Sequence, residues 1–143
     1  MALRLFPVLQ EISCAEIDAT ADSILAYLEG ADVTFSLGLV DLSGFSKFQQ
    51  SVLKALCAIP RGAVSTYGLI AKRVGVFGGA RAVGRVMAAN PFPLMVPCHR
   101  TVLSDLRLGG FQSGTAMKRF LLEMEGIFFD KTGRIVRGSL HYA

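Results

Sequence analysis

With 143 residues, 52% of them hydrophobic and 18% charged, the chain has room for one domain with a core, or one domain plus a small appendage, and its composition excludes a disordered protein. No apolar run approaches the roughly 18 residues of a membrane span, the first residues read as no secretory leader, and three unpaired-looking cysteines fit a reducing compartment, so a cytoplasmic location and no membrane partner are expected. The net charge of +4 divides unevenly: residues 1–45 hold one base against seven acids, and residues 46–143 hold fourteen bases against four acids, which composition alone reads equally as a surface that attracts phosphate backbones or as a solvated basic face with no partner.

The first 44 residues read as an appendage. Ile24, Leu25, Tyr27 and Leu28 recur at helical spacing ahead of Gly30, which predicts a short amphipathic helix stopped by a glycine. Val33, Phe35, Leu37 and Leu39 alternate with Thr34, Ser36, Gly38 and Val40, which predicts an extended segment or weak strand. The polar stretch Asp41-Leu42-Ser43-Gly44 marks the expected boundary between a shortened N-terminal region, 1–44, and a second region, 45–143.

Ser46 and Gln49 form a capping-box pattern, and Phe48, Val52, Leu53, Leu56 and Ile59 make an apolar stripe, so a helix is predicted over 47–59, ended by Pro60, with Cys57 packed beside the stripe. Ser65 is then expected to cap a helix running to about Arg73 and closed by Gly75. The link Gly75-Val76-Phe77-Gly78-Gly79 leads to a third helix, from about Ala80 to Ala89, stopped at Asn90-Pro91. Two short helices joined by a glycine-rich turn are a helix-turn-helix candidate. The third helix is built of small residues (Ala80, Ala82, Gly84, Ala88, Ala89), with Arg81 and Arg85 one turn apart on a shared face. Taken alone, such a helix most often packs against a neighbour with its arginines solvated; a nucleophile one loop away favours a helix that enters a groove of DNA.

That nucleophile is Cys98. Leu94-Met95-Val96 reads as a short buried strand that fixes it, and His99 is the neighbour that would help it ionise near neutral pH. Adjacent residues of an extended chain face opposite sides, so a bridging water or a sharp turn is expected between sulfur and imidazole. The imidazole needs a carboxylate behind it, for which Asp105, Glu123, Glu125 and Asp130 are the downstream candidates. Cys98 considered alone would more often be a buried structural thiol. Two histidines and no Cys-x-x-Cys leave a zinc site short of ligands, so neither metal nor cofactor is expected.

Several short motifs stand in order over Phe45 to Gly126: Ile59-Pro60-Arg61-Gly62 with Ser65-Thr66-Tyr67; Ala80-Arg81-Ala82-Val83-Gly84; Asn90-Pro91; Pro97-Cys98-His99-Arg100; and Gly109-Gly110-Phe111 ahead of Lys118-Arg119-Phe120-Leu121-Leu122-Glu123-Met124-Glu125-Gly126. In this order and spacing the segment resembles the catalytic domain of the O6-alkylguanine-DNA alkyltransferases. The resemblance implies a mainly α (α+β) fold, with a winged-helix-like helix-turn-helix domain and a small β element. It also implies stoichiometric transfer of an alkyl group from O6-alkylguanine in double-stranded DNA to Cys98 after base flipping, by a monomer bound in the minor groove.

The resemblance also assigns roles. His99 would be the water-mediated base, Glu125 the carboxylate behind it, and Asn90 the brace of the active-site turn. Tyr67 would press on a phosphate and donate a proton to the leaving guanine, and Arg81 would fill the gap left by the flipped base, beside Ala80, Ala82, Gly84, Arg85 and Arg100 on the DNA-binding surface. Met95, Val96 and Phe111 would line the guanine pocket. The chain departs from the family in its short N-terminal region, in Leu53 where a tryptophan is usual, and in Phe111 where a tyrosine is frequent. A non-repairing, damage-sensing relative is the alternative, although such proteins typically replace the cysteine; a Cys-His hydrolase or a plain helix-turn-helix regulator lacks supporting motifs. Beyond the resemblance, residues 126–136 predict a hairpin around Lys131-Thr132-Gly133, and His141 reads as a solvated tail residue.

Overall fold

The structure, a computed structural model, describes residues 14–143. The chain divides between Val33 and Thr34 into two compact units. In the first, helix α1 spans Cys14–Leu28, well beyond the predicted apolar cluster, because its polar residues also fold into it: the Thr20 and Ser23 hydroxyls donate to the carbonyls of Glu16 and Ala19 at 2.8 Å. Gly30, at φ +97°, closes it as expected.

The second unit begins with a correction. The alternating residues 33–40 form no strand; Ser36 caps a single 3-10 turn over Leu37–Leu39, accepting from the Gly38 amide at 3.1 Å, and Leu39 is half exposed. Alternation of this kind needs a partner strand, and among the described residues none pairs with it.

Helix α2, Lys47–Cys57, starts at a complete capping box: the Ser46 Oγ accepts from the Gln49 amide at 3.3 Å, and the Gln49 Oε1 accepts from the Ser46 amide at 2.8 Å. Its buried face, Val52, Leu53, Ala55 and Leu56, joins Ile59, Ile70 and Val83 in the larger core cluster, and Leu53 fills its position with no exposure. Replacing Ser46 by alanine is expected to lower stability by about 1 kcal/mol, read as an earlier urea midpoint with unchanged slope.

The expected helix from Ser65 is shorter than predicted. Ala63–Thr66 is a fully buried strand, β1, and Thr66 rather than Ser65 caps helix α3, Tyr67–Arg73, its Oγ1 accepting from the Leu69 amide at 3.2 Å. The Ser65 hydroxyl instead donates to the His141 carbonyl at 2.8 Å. Helix α4, Ala80–Ala88, follows the glycine link and packs on α2 and α3, completing the helix-turn-helix pair.

β1 is the centre of a three-stranded parallel sheet. Strand β2, Thr101–Val102, lies on one side with Ser65 opposite Thr101. Helix α5, Thr115–Met124, and the predicted hairpin, β3 (Phe128–Phe129) with β4 (Ile135–Arg137), come next, and strand β5, Ser139–Leu140, returns to the other side of β1 with Ala63 opposite Ser139. Val64, Val102, Leu122 and Ile127 form the second core cluster between sheet, helix and hairpin. Between β4 and β5 the chain crosses directly over Ile127: Gly138 sits at φ +149°, and a Cβ there would lie 2.5 Å from Ile127 Cδ1. His141 is no solvated tail residue, since its amide donates to the Val64 carbonyl at 2.7 Å, and the next side chain, Tyr142, donates to the Ala55 carbonyl at 3.0 Å.

Candidate active site

The site grows from the loop that follows α4. Asn90, 3% exposed, holds that loop at three points: its Oδ1 accepts from the Phe92 amide at 3.0 Å, and its Nδ2 donates to the Val96 carbonyl at 3.3 Å and to the Cys98 Sγ at 3.4 Å. The expected strand over 94–96 is a tight turn instead. Pro93 and Val96 bridge across it, the Val96 amide donates to the Phe92 carbonyl at 2.9 Å, and Leu94 is held at φ +71°, a conformation that a side chain enters only where surrounding bonds impose it.

Cys98 then opens a 3-10 turn over Cys98–Arg100, the sharp turn expected at this point. Cys98 faces an open cleft, whereas His99 points inward with no exposure and its Nε2 meets the Glu125 Oε1 at 3.0 Å. Glu125 caps the C-terminus of α5, which brings this carboxylate alone among the four candidates to the imidazole. Asp105 and Glu123 make exposed ion pairs with Arg107 and Arg119, and Asp130 accepts from the hairpin turn. Arg100, expected on the DNA-facing surface, is held inward: its Nε and Nη2 donate to Glu125 at 2.9 and 2.8 Å and its Nη1 to the Ile59 carbonyl at 2.7 Å, which engages all three guanidinium nitrogens.

These contacts set the electrostatics. Burial pushes His99 below its ordinary value against the pull of Glu125, so the ring is neutral at physiological pH. With a carboxylate facing Nε2, that nitrogen carries the proton and Nδ1 holds the basic lone pair. Burial pushes the Cys98 thiol up, while the Asn90 hydrogen bond and the charge of Lys118 pull it down.

Lys118 is a member of the site that sequence reasoning missed. It lies on the inner face of α5 with no exposure, and its Nζ donates to the Gly110 carbonyl at 3.1 Å. Burial depresses it to about 8, with the Cys98 charge opposing the shift. Its signal was its spacing: Lys118, Leu121, Leu122 and Glu125 fall at i, i+3, i+4 and i+7, the positions of a core stripe.

The cleft at Cys98 has a volume of about 290 Å³, at the lower end of small-molecule sites. Tyr67, Gly84, Met87 and Ala88 form one wall, and Gly110, Phe111 and Gln112 the other. Tyr67, Gly84 and Phe111 were expected there or beside it, whereas Met87, Ala88, Gly110 and Gln112 were not. Met95 and Val96 do not line it: the Val96 carbonyl is taken by Asn90, and the Met95 carbonyl accepts from the Cys57 thiol at 3.8 Å. Tyr67 is pushed up, first by burial and then by the Cys98 charge, so its hydroxyl keeps its proton at neutral pH. Arg81 and Arg85 stand exposed on α4, with Ala80 and Ala82 half-buried beside them.

Comparison with known proteins agrees with this arrangement. The methylated-DNA–protein-cysteine methyltransferase of Methanothermobacter thermautotrophicus is 43% identical over 106 residues, 74% of this chain and 59% of that protein. The Mycobacterium bovis protein of the same name is 44% identical over 104 residues, 73% of this chain and 62% of that one. The chain therefore spans about three-fifths of the length of these curated relatives. Among solved structures, Mycobacterium tuberculosis OGT in complex with DNA superposes with a TM-score of 0.66 at 39% identity, covering 75% of this chain and 64% of that one. S. pombe Atl1, in complex with damaged DNA containing O6-carboxymethylguanine, gives 0.53 at 34% identity and covers 64% of this chain and 88% of that one. The 6-O-methylguanine DNA methyltransferase DNA-binding domain matches residues 47–127, from the start of α2 to the residue beneath Gly138, and by that match and these identities the chain belongs to the 6-O-methylguanine DNA methyltransferase family.

Proposed function

We propose that residues 45–143 transfer an alkyl group from O6 of guanine in duplex DNA to the Cys98 sulfur, with the chain acting as a monomer. The observation that carries this reading is the Cys98 thiol facing an open cleft, with a buried imidazole–carboxylate pair, His99 and Glu125, directly behind it. The alkyl carbon of a modified guanine lies within the stack, so the base must be extruded, at a cost of a few kcal/mol, before sulfur can reach it. Arg81, exposed on the first turn of α4, would occupy the vacated space, and the small neighbours Ala80 and Ala82 would let the helix approach the minor-groove floor, with Arg85 on the backbone.

In the reaction the thiol proton passes through a water to the His99 Nδ1, the sulfur–carbon bond forms as the carbon–O6 bond breaks, and the Tyr67 hydroxyl protonates the departing guanine. Glu125 stabilises the imidazolium formed, and Asn90 and Lys118 stabilise the thiolate. The product is a thioether, which water does not cleave, so each chain reacts once.

Incubation with an O6-methylguanine duplex is expected to raise the intact mass of the chain by one methylene unit, located by peptide mapping on Cys98, and the Cys98→Ser variant is expected to bind the duplex without gaining mass. Binding by the unaltered chain with no gain in mass would instead assign it the damage-sensing role. Repeated turnover on excess duplex would overturn the single-use step.

A further inference from the structure

The turn between α3 and α4 presents an aromatic side chain that alkyl transfer at Cys98 does not use. Phe77 is 81% exposed. The turn that carries it is rigid: the Val76 amide donates to the Ala71 carbonyl at 2.9 Å and the Gly79 amide to the Val76 carbonyl at 3.1 Å. Gly75 and Gly78 lie at φ +80° and +73°, and a Cβ on Gly79 would lie 2.6 Å from Val76 Cγ1, so the chain closes tightly around Val76 and leaves Phe77 facing outward. A phenylalanine held outward on a fixed turn offers a large apolar face to any surface that meets it.

The charge around it indicates which surface. Lys72, Arg73, Arg81 and Arg85 flank the turn and are all exposed, and from Leu42 to Ser104 the sequence contains no aspartate or glutamate. A polyanion fits this surface, and an apolar tip among cations matches a duplex, whose phosphates meet the bases while its groove and unstacked base faces receive the ring. Phe77 precedes Arg81, on the first turn of α4, by four residues, so the ring and that guanidinium leave the molecule at the same end of the helix.

Building on the alkyl-transfer reading, we propose that Phe77 is a second DNA-contacting residue, an apolar wedge that enters the minor groove next to the base position that Arg81 fills. Arg81 holds the vacated base position and Phe77, in the turn that leads into the same helix, anchors the duplex beside it. The wedge therefore sets duplex affinity and flanking-sequence preference, favouring easily unstacked pyrimidine–purine steps, and it leaves chemistry at Cys98 untouched.

The chain contains no tryptophan, so Phe77→Trp introduces a single indole at the tip of the turn. Its emission is expected to be quenched on addition of an O6-methylguanine duplex, and Phe77→Ala is expected to bind that duplex about tenfold more weakly. The transfer rate at saturating duplex, and the rate with free O6-benzylguanine, which needs no duplex, are expected to match the unaltered chain. An indole that saturating duplex leaves unmoved, or a Phe77→Ala variant with full duplex affinity, overturns the wedge. Intact mass on the same samples separates the two readings: methylated Cys98 with a silent indole removes the wedge alone, whereas a quenched indole without mass gain removes alkyl transfer and leaves the wedge standing.

Discussion

Glu125→Gln is expected to cost about 3–5 kcal/mol of stability, enough to unfold a sizeable fraction of a marginal domain at physiological temperature. The carboxylate has no exposed surface and accepts from His99 Nε2 at 3.0 Å and from the Arg100 Nη2 and Nε at 2.8 and 2.9 Å. An amide keeps the shape but loses the charge, which leaves the Arg100 guanidinium, 11% exposed, without compensation, and turns one donor against another. Urea denaturation at neutral pH measures the loss; a midpoint within about 0.5 M of the unaltered chain would show that Arg100 and His99 are satisfied without the carboxylate. In the fraction that folds, methyl transfer is expected to slow by 10²-fold or more, since His99 has lost the group that stabilises its protonated form. The sign for pH follows from burial. His99 is depressed below its reference value of 6.5, so its folded form binds fewer protons than its unfolded one, and the stability it contributes above that value is lost as pH falls through 6.5 toward the folded value.

Lys118→Met is expected to do the opposite to stability and the same to chemistry. A lysine depressed from 10.5 to about 8 is held in its charged form at neutral pH against a burial penalty of about 3 kcal/mol. The penalty is absent above 10.5, grows as pH falls from there to about 8, and is fully present below that. Methionine fills a similar volume without charge, and Gly110 is exposed enough for water to serve its carbonyl, so the variant is expected to melt several degrees higher at pH 7, with the gain vanishing toward pH 10.5. Its methyl-transfer rate is expected to fall about tenfold or more at pH 7, because the nearby positive charge that favours the Cys98 thiolate is gone. A variant that is both more stable and equally fast would make Lys118 a structural strut alone. The trade is physically reasonable: a buried cation beside a nucleophile lowers stability in order to favour an anion.

How much of this could be read from residues alone depended on whether the signal was local. The capping box at Ser46 and Gln49 and the stops at Pro60 and Asn90-Pro91 act within a few residues, and α2 and α4 lie close to where the pattern puts them. β1 escaped because Ser65 and Thr66 are equally good capping residues; the decision came from Thr101 and Ser139, dozens of residues away, which pair on either side of β1. The run Leu94-Met95-Val96 has the apolarity of a strand, yet one Asn90 carboxamide bonded to both ends of the loop folds it into a turn. The four candidate carboxylates were equal by composition and were separated by resemblance; the structure separates them by where α5 ends. Arg100 illustrates the limit most clearly, since an arginine in a basic stretch looks outward on paper and is turned inward by a carboxylate 25 residues later.

Gly138 has an influence beyond the hairpin it ends. The strand it precedes pairs with β1 through only two residues and could in principle slide by one, but any slide would bring a residue with a side chain to the spot against Ile127 where no Cβ fits. The alignment of β5 is thus selected by exclusion, and with it the position of the His141 carbonyl that receives Ser65, two residues before the tyrosine of the Cys98 cleft.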